Sequence, residues 1–310
     1  MFRQLTADVR TRFGSATDSF RCCDTDFSVR ARGPRAGRAA TDARRTAESL
    51  EARLNAFADD SAVARLNREG SVTDGHVAAV VSRGLEYRDR TDGVFDVGQG
   101  GAEHDLKAYI RGVTDDASVA FAEAPTSGDS AGVTVEGETV RTDRPLDLNG
   151  LAKGYIVDRA TEALTGLGRT GFVDGGGDVA LPTGPVGVES PYGDDADADP
   201  LAVLDTDWNV ATSAGYRRRR GDVDHVYNPV TERVGTPHDL VTVVARRDCM
   251  EADALATTLA ALPVGEAVEF AESWDGAEAL VVHQGVFRRT TGFSNHVHAA
   301  KGGTTRAHLA

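Results

Sequence analysis

The short apolar runs of this chain succeed one another without regular strand–helix alternation, and a parallel doubly wound sheet requires that alternation. VTVEGETV (133–140) and ALVVHQGVFRRT (279–290) each place two short runs around a glycine-containing turn, which reads as a hairpin. FSVRA (27–31), Val186–Val188, residues 208–212 and LVTVVARR (240–247) add further strands. GFVDGGGDVALP (171–182) reads as strand, glycine turn, strand. Helical spacing appears over residues 38–57, where Ala47, Leu50, Leu54 and Phe57 share a face. Asp60-Ser61 offers an N-cap to AVARLN, and Thr73-Asp74 caps a helix through Arg88 with Val77, Val81 and Leu85 inward. Further helices are predicted over 156–167 and 251–262. The expectation is one α+β domain over 24–295, of mainly antiparallel sheets with flanking helices. A weakly amphipathic lead-in (1–23) precedes it and a polar, frayed tail (296–310) follows it.

The formal charge of −14 argues against a nucleic-acid partner. Only three lysines occur, Lys107, Lys153 and Lys301, with arginine supplying the other basic residues. Acid-rich, lysine-poor runs such as DDADADP (194–200) read as hydrated faces that stay soluble in concentrated salt, where long-range repulsion is screened. A halophilic source is the expectation, and an anionic ligand would then need a local cation. The adjacent pair Cys22-Cys23 has no metal-ligand spacing and no route to an unstrained mutual disulfide. With Cys249 these are the whole cysteine content, which fits a reduced, intracellular protein. No apolar run is long enough for a membrane span, and the N-terminus lacks the apolar core of a secretory signal. A cytoplasmic location without stable membrane insertion is expected.

Four constellations carry candidate chemistry. In DLNGLAKGYIVD (147–158), Asp147, Gly150 and Lys153 are three residues apart at a strand-to-helix junction. Helix-start amides and a lysine suit phosphate; a capped helix with a solvated lysine is the other reading. DGGGD (174–178) lets backbone approach a ligand at Gly176 and Gly177, or is a plain tight turn. Asp253 and Thr257 lie one helical turn apart, a pairing that suits Mg²⁺; a helix-dipole aspartate beside a buried threonine is the alternative. His225, in RRRRGDVDHVYNP, is either a general base or a hydrogen-bonded strand histidine. Arg217–Arg220 read mainly as surface.

The order of these segments resembles the ApbE family, the FAD:protein FMN transferases. DLNGLAKGYIVDRA, FVDGGGDVA, ATSAGYRRRRGDVDHVYNPVTERVG and LVTVVARRDCMEADALATTLAALP follow in the family's sequence, preceded by LNAFADDSAVARLN and DGVFDVG. The resemblance implies a single ApbE-like α+β domain that binds FAD with Mg²⁺. It implies transfer of FMN to a threonine of an acceptor flavoprotein with release of AMP, while some members hydrolyse FAD instead. A flavin-binding protein without catalysis is the reading of another class. Carried over by motif, Phe57, Val94, Phe95, Asp96, Asp147, Lys153, Gly176 and Gly177 belong to the FAD site. Gly150, Asp253 and Thr257 stand at metal-ligand positions. His225 stands beside the phosphates as the candidate base. Cys23-Asp24-Thr25 replaces the family's Met-Gly-Thr, and Asp174 replaces the usual asparagine of the glycine turn.

Overall fold

The computed structural model describes residues 14–115, 132–166, 169–192, 199–215 and 219–298. Residues 1–13, most of the acidic loop, Arg217, Arg218 and the tail beyond 298 lie outside the described residues. Strand β1 (Gly14–Cys22) pairs antiparallel with β2 (Thr25–Gly33), from Gly14↔Gly33 to Cys22↔Thr25. The sequence reading placed residues 14–22 in a lead-in. In β1 only Phe20 and Cys22 are buried, so its apolar alternation is too sparse to mark a strand. Cys23 and Asp24 close the hairpin at φ 54 and φ 58, the left-handed pair that matches strand twist.

Helix α1 (Ala36–Leu54) packs a face of small alanines with Leu50 and Leu54 inward, and ends before Phe57, which falls on the following loop. Helix α2 (Ala62–Glu69) is capped by Ser61, which accepts from the Ala64 amide. Strand β3 (Ser71–Thr73) leads to α3 (Gly75–Arg90), whose cap Asp74 accepts from His76 and Val77. Helix α4 (Gly100–Ile110) follows a single 3₁₀ turn. Strands β4 (Val133–Glu136) and β5 (Thr139–Thr142) form the expected hairpin and join β3 in the order β3-β5-β4.

Helix α5 (Asn149–Leu164) begins seven residues before the periodicity suggests. Gly150 and Gly154 weaken the local helix signal, yet packing requires Gly154. A Cβ there would stand 2.5 Å from the Cys249 carbonyl oxygen. Strand β6 (Thr170–Gly175) pairs with β2. Strands β7 (Val186–Val188) and β8 (Ala202–Leu204) make a small ribbon, and β9 (Asn209–Ser213) returns to the main sheet. Four two-residue strands follow: β10 (Arg219–Arg220), β11 (Val223–Asp224), β12 (Tyr227–Asn228) and β13 (Arg233–Val234). Strand β14 (Leu240–Ala245) is buried throughout. Helices α6 (Cys249–Ala261) and α7 (Val264–Ser273) lead to the hairpin β15 (Ala277–His283) and β16 (Val286–Arg289).

The main sheet is antiparallel, in two parts of order β1-β2-β6 and β16-β15-β14-β9. Val179 bridges both Asp174 and Val210, so the glycine turn sits at the joint. Helix α5 lies between α1 and α6. Asp158 accepts from the Cys249 and Met250 amides, both at 3.0 Å, and so caps α6 from α5. The start of the tail is not frayed: the His298 amide donates to the Val203 carbonyl at 2.7 Å. The fold is the α+β arrangement expected. No helix among the described residues is long and apolar enough to cross a membrane.

Candidate functional site

The first turns of α5 form the floor of a cleft with two lobes, of about 320 Å³ and about 350 Å³. Asp24, Lys107, Asn149, Lys153 and His225 line both lobes, which sets the two side by side. Asp147 ends the connection into α5 with its side chain buried. Its carboxylate accepts from Lys107 Nζ at 2.6 Å and from the Asn149 amide at 2.8 Å. Lys107 also donates to Glu103 at 2.7 Å, and His104 Nε2 lies 3.3 Å from Asp147. Burial alone would raise the Asp147 carboxyl, but the Lys107 ammonium, with His104, holds it well below the usual carboxylate range.

One turn on, Lys153 Nζ lies 2.5 Å from Asp178 Oδ2 and 3.9 Å from Asp253 Oδ1. Burial lowers the ammonium's affinity for its proton, but Asp178 and Asp253 together raise it above the ordinary lysine value. Burial, then the Asp253 carboxylate, push Asp178 up to about 8 despite Lys153. One ammonium therefore faces two carboxylates in a dry setting, an excess of negative charge that a cation or proton offsets.

Asp253 also accepts from the Gly154 amide at 2.9 Å, while Thr257 Oγ1 donates to the Gly150 carbonyl at 3.3 Å. Asp253, Thr257 and Gly150 all line the second lobe. Three hard oxygen donors beside unbalanced negative charge fit Mg²⁺, which binds a few protein oxygens and completes its shell with water or phosphate. Gly150 is needed there, because a Cβ would stand 2.8 Å from Phe95 Cε2.

Val94, Phe95 and Asp96 line the second lobe. Phe95 is buried and meets Tyr87 edge-on at 6.1 Å. The Asp96 carboxylate accepts from the Gly98 amide at 2.8 Å and from Gln99 at 3.0 Å, and lies 3.4 Å from Arg88. Its local work is to cap the 3₁₀ turn. Phe57 lines the first lobe with its ring 5.0 Å from His104 and 4.5 Å from the Arg111 guanidinium. Gly176 (φ 71) lines the second lobe, where a Cβ would collide with Thr25. Gly177 (φ 103) does not line either lobe; it faces a neighbouring cavity of about 180 Å³ beside β7. Its amide donates to Asp174 at 2.9 Å, which closes the glycine turn. His225 stands on the bend between β11 and β12 and faces both lobes.

Sequence reasoning missed Lys107, Glu103 and Arg219 in the lining of this cleft, and His104 and Asp178 just behind it. Lys107, Glu103 and His104 sit on α4, where the Glu103–Lys107 spacing of four and the scarcity of lysine were the available signals. Asp178 was read only as part of a turn. Arg219, taken for surface, lines the first lobe although it is exposed, whereas Arg220 turns away to the Tyr109 and Thr114 carbonyls.

The α+β fold has known structural counterparts. The crystal structure of the ApbE protein from Thermotoga maritima superposes with a TM-score of 0.79 at 22% identity, covering 92% of this chain and 100% of that one. The flavin transferase ApbE from Vibrio cholerae gives 0.73 at 20%, covering 92% and 99%. The sequence signature of the ApbE family matches residues 23–281, and the chain belongs to that family. A FAD:protein FMN transferase of Treponema pallidum (strain Nichols) is 30% identical over 268 residues, 74% of this chain and 72% of that protein. One from Vibrio cholerae is 25% identical over 244 residues, 71% of this chain and 72% of its own length.

Proposed function

We propose that this chain is a flavin transferase that splits FAD at its pyrophosphate and passes FMN to a threonine of an acceptor protein, releasing AMP. The observation that carries this reading is the convergence, on one cleft, of the Gly150, Thr257 and Asp253 oxygens, the Lys153 ammonium and His225. Family membership and the names of two relatives support the flavin assignment. The two adjoining lobes suit the two halves of a dinucleotide.

Asp147, anchored by Lys107, and Lys153 orient the bound dinucleotide, and Lys153 sets positive charge against the phosphates. Asp253, Thr257 and the Gly150 carbonyl would hold Mg²⁺, which neutralises phosphate charge when bound. His225 accepts the proton of the incoming threonine hydroxyl. The threonine oxygen forms a bond to the FMN phosphorus, the bond from that phosphorus to the bridging oxygen breaks, and AMP leaves with the electron pair. Phe57, Val94 and Phe95 offer apolar surface to the ring systems, and the Gly176 backbone allows close approach. Positioning and electrostatics supply most of the rate.

The test is incubation with FAD, Mg²⁺ and an acceptor carrying an Asp/Ser-Gly-x-Thr-type site. The expected result is AMP release with flavin fluorescence retained on the denatured acceptor. AMP without labelled acceptor would make the chain an FAD pyrophosphatase. Bound flavin with no AMP would make it a flavin-binding protein without catalysis.

A further inference from the structure

The first lobe has a second cluster of metal-competent groups, chemically unlike the oxygen set below it. Cys22 ends β1, Cys23 opens the hairpin turn and Glu51 projects from the last turn of α1. One ligand atom from each, two sulfurs and a carboxylate oxygen, all lie within 4.8 Å of one another. Cys22 is buried, while Cys23 and Glu51 are half-buried and line the lobe. The sequence reading found no metal-ligand spacing at this cysteine pair, and adjacent residues in a strand point to opposite faces. The turn overrides that rule. With Cys23 at φ 54, both thiols fall on the same side, their sulfurs 3.7 Å apart. Glu51, from an element distant in sequence, supplies the third group.

We propose that Cys22, Cys23 and Glu51 form a site for a thiophilic d¹⁰ cation, Zn²⁺ by preference, on the wall of the first lobe. Two sulfurs bound tetrahedrally at ~2.3 Å to zinc stand about 3.8 Å apart, against the 3.7 Å present here before any metal enters. The framework is already fixed: the Cys23 amide donates to Glu51 Oε1 at 2.6 Å, which ties the turn to α1. Each thiol gives up its proton to solvent as its metal–sulfur bond forms, and Glu51 supplies a carboxylate oxygen. The fourth position opens to the lobe and takes water. Thiolate ligands discriminate against Mg²⁺, so this site and the oxygen set at Gly150, Asp253 and Thr257 select different ions within one cleft. Cation binding narrows the lobe that, on the reading above, receives part of FAD. That consequence rests on the proposed function; the binding itself does not.

The test titrates the purified full chain with Cd²⁺ under reducing conditions and excess Mg²⁺, following the ultraviolet thiolate-to-cadmium charge-transfer band. The expected result is one Cd²⁺ per chain, displaced by Zn²⁺ and not by Mg²⁺. In Cys23→Ser and in Glu51→Gln the affinity falls by more than the roughly 10–100-fold that loss of an outer partner costs. Cys23 is half-buried and the serine is smaller, so that variant keeps its fold if circular dichroism is unchanged. Cys249→Ser is the control and leaves the band intact. Absence of a band, an unchanged band in Cys23→Ser, or its loss only in Cys249→Ser would overturn the site. Slower FAD turnover with stoichiometric Zn²⁺, relieved in Cys23→Ser, supports the effect on the lobe. Binding without that slowing would overturn the effect and leave the site standing.

Discussion

The two walls of the cleft are built in opposite ways. On one side the helix pair α5 and α6 meets through Gly154, is locked by the Asp158 cap, and carries Lys153 and Asp253 among buried neighbours, with Asp178 set against Lys153 from the glycine turn. On the other side His225 stands on a bend between strands of two residues each, and Arg219 is exposed. A buried charge is tolerated only where its partners are held in place. A group that exchanges a proton with an arriving hydroxyl needs access. The contrast teaches that charge placement rests on rigid helices here, while proton transfer is assigned to a lightly packed ribbon.

The largest effect is expected from Lys153→Met, which leaves Asp178 and Asp253 without their buried counter-charge. Stability measured by chemical denaturation should fall by about 3–5 kcal/mol. Arg219→Ala on the facing wall should change it by less than ~0.5 kcal/mol. Equal losses would erase the contrast. His225→Ala should cut turnover by roughly 10²–10⁴-fold while leaving the unfolding midpoint in place. A comparable loss of stability would instead make His225 part of the scaffold. Gly154→Ala sharpens the other wall. Its Cβ meets the Cys249 carbonyl, and the overpacking should cost about 1–3 kcal/mol in a thermal melt.

The smallest effect concerns pH. Asp147 has its carboxyl held below the ordinary value of 3.8. Its contribution is therefore present above that ordinary value and is lost as pH falls through the lower, folded one. Wild type should lose stability more steeply than Asp147→Asn below about pH 4. Parallel acid curves would show that the Lys107 pairing carries no folding energy.

Periodicity made α1 and α3 legible, because each repeats apolar residues on one face; α6 was legible as an apolar run and the hairpins at 133–140 and 279–290 by their glycine turns. The start of α5 was not, since Gly150 and Gly154 suppress helix propensity and only contact with α6 explains them. Strand β1 escaped because its outward positions are polar and its inward ones include little beyond Phe20 and Cys22. Within the site, Asp253 and Thr257 could be paired from a spacing of one turn. Lys107 with Asp147, forty residues apart, could not. Nor could Lys153 with Asp178, or Cys23 with Glu51, since tertiary structure alone brings those groups together.

The most direct measurement is AMP release from FAD as Mg²⁺ is titrated, in wild type and in Asp253→Ala, with FAD binding followed by flavin fluorescence polarisation. Thr257→Val serves as a second variant should Asp253→Ala lose its fold. Release should rise with Mg²⁺ in wild type and vanish in the variant that still binds FAD. Unchanged Mg²⁺-dependent release in a folded Asp253→Ala protein would contradict the account.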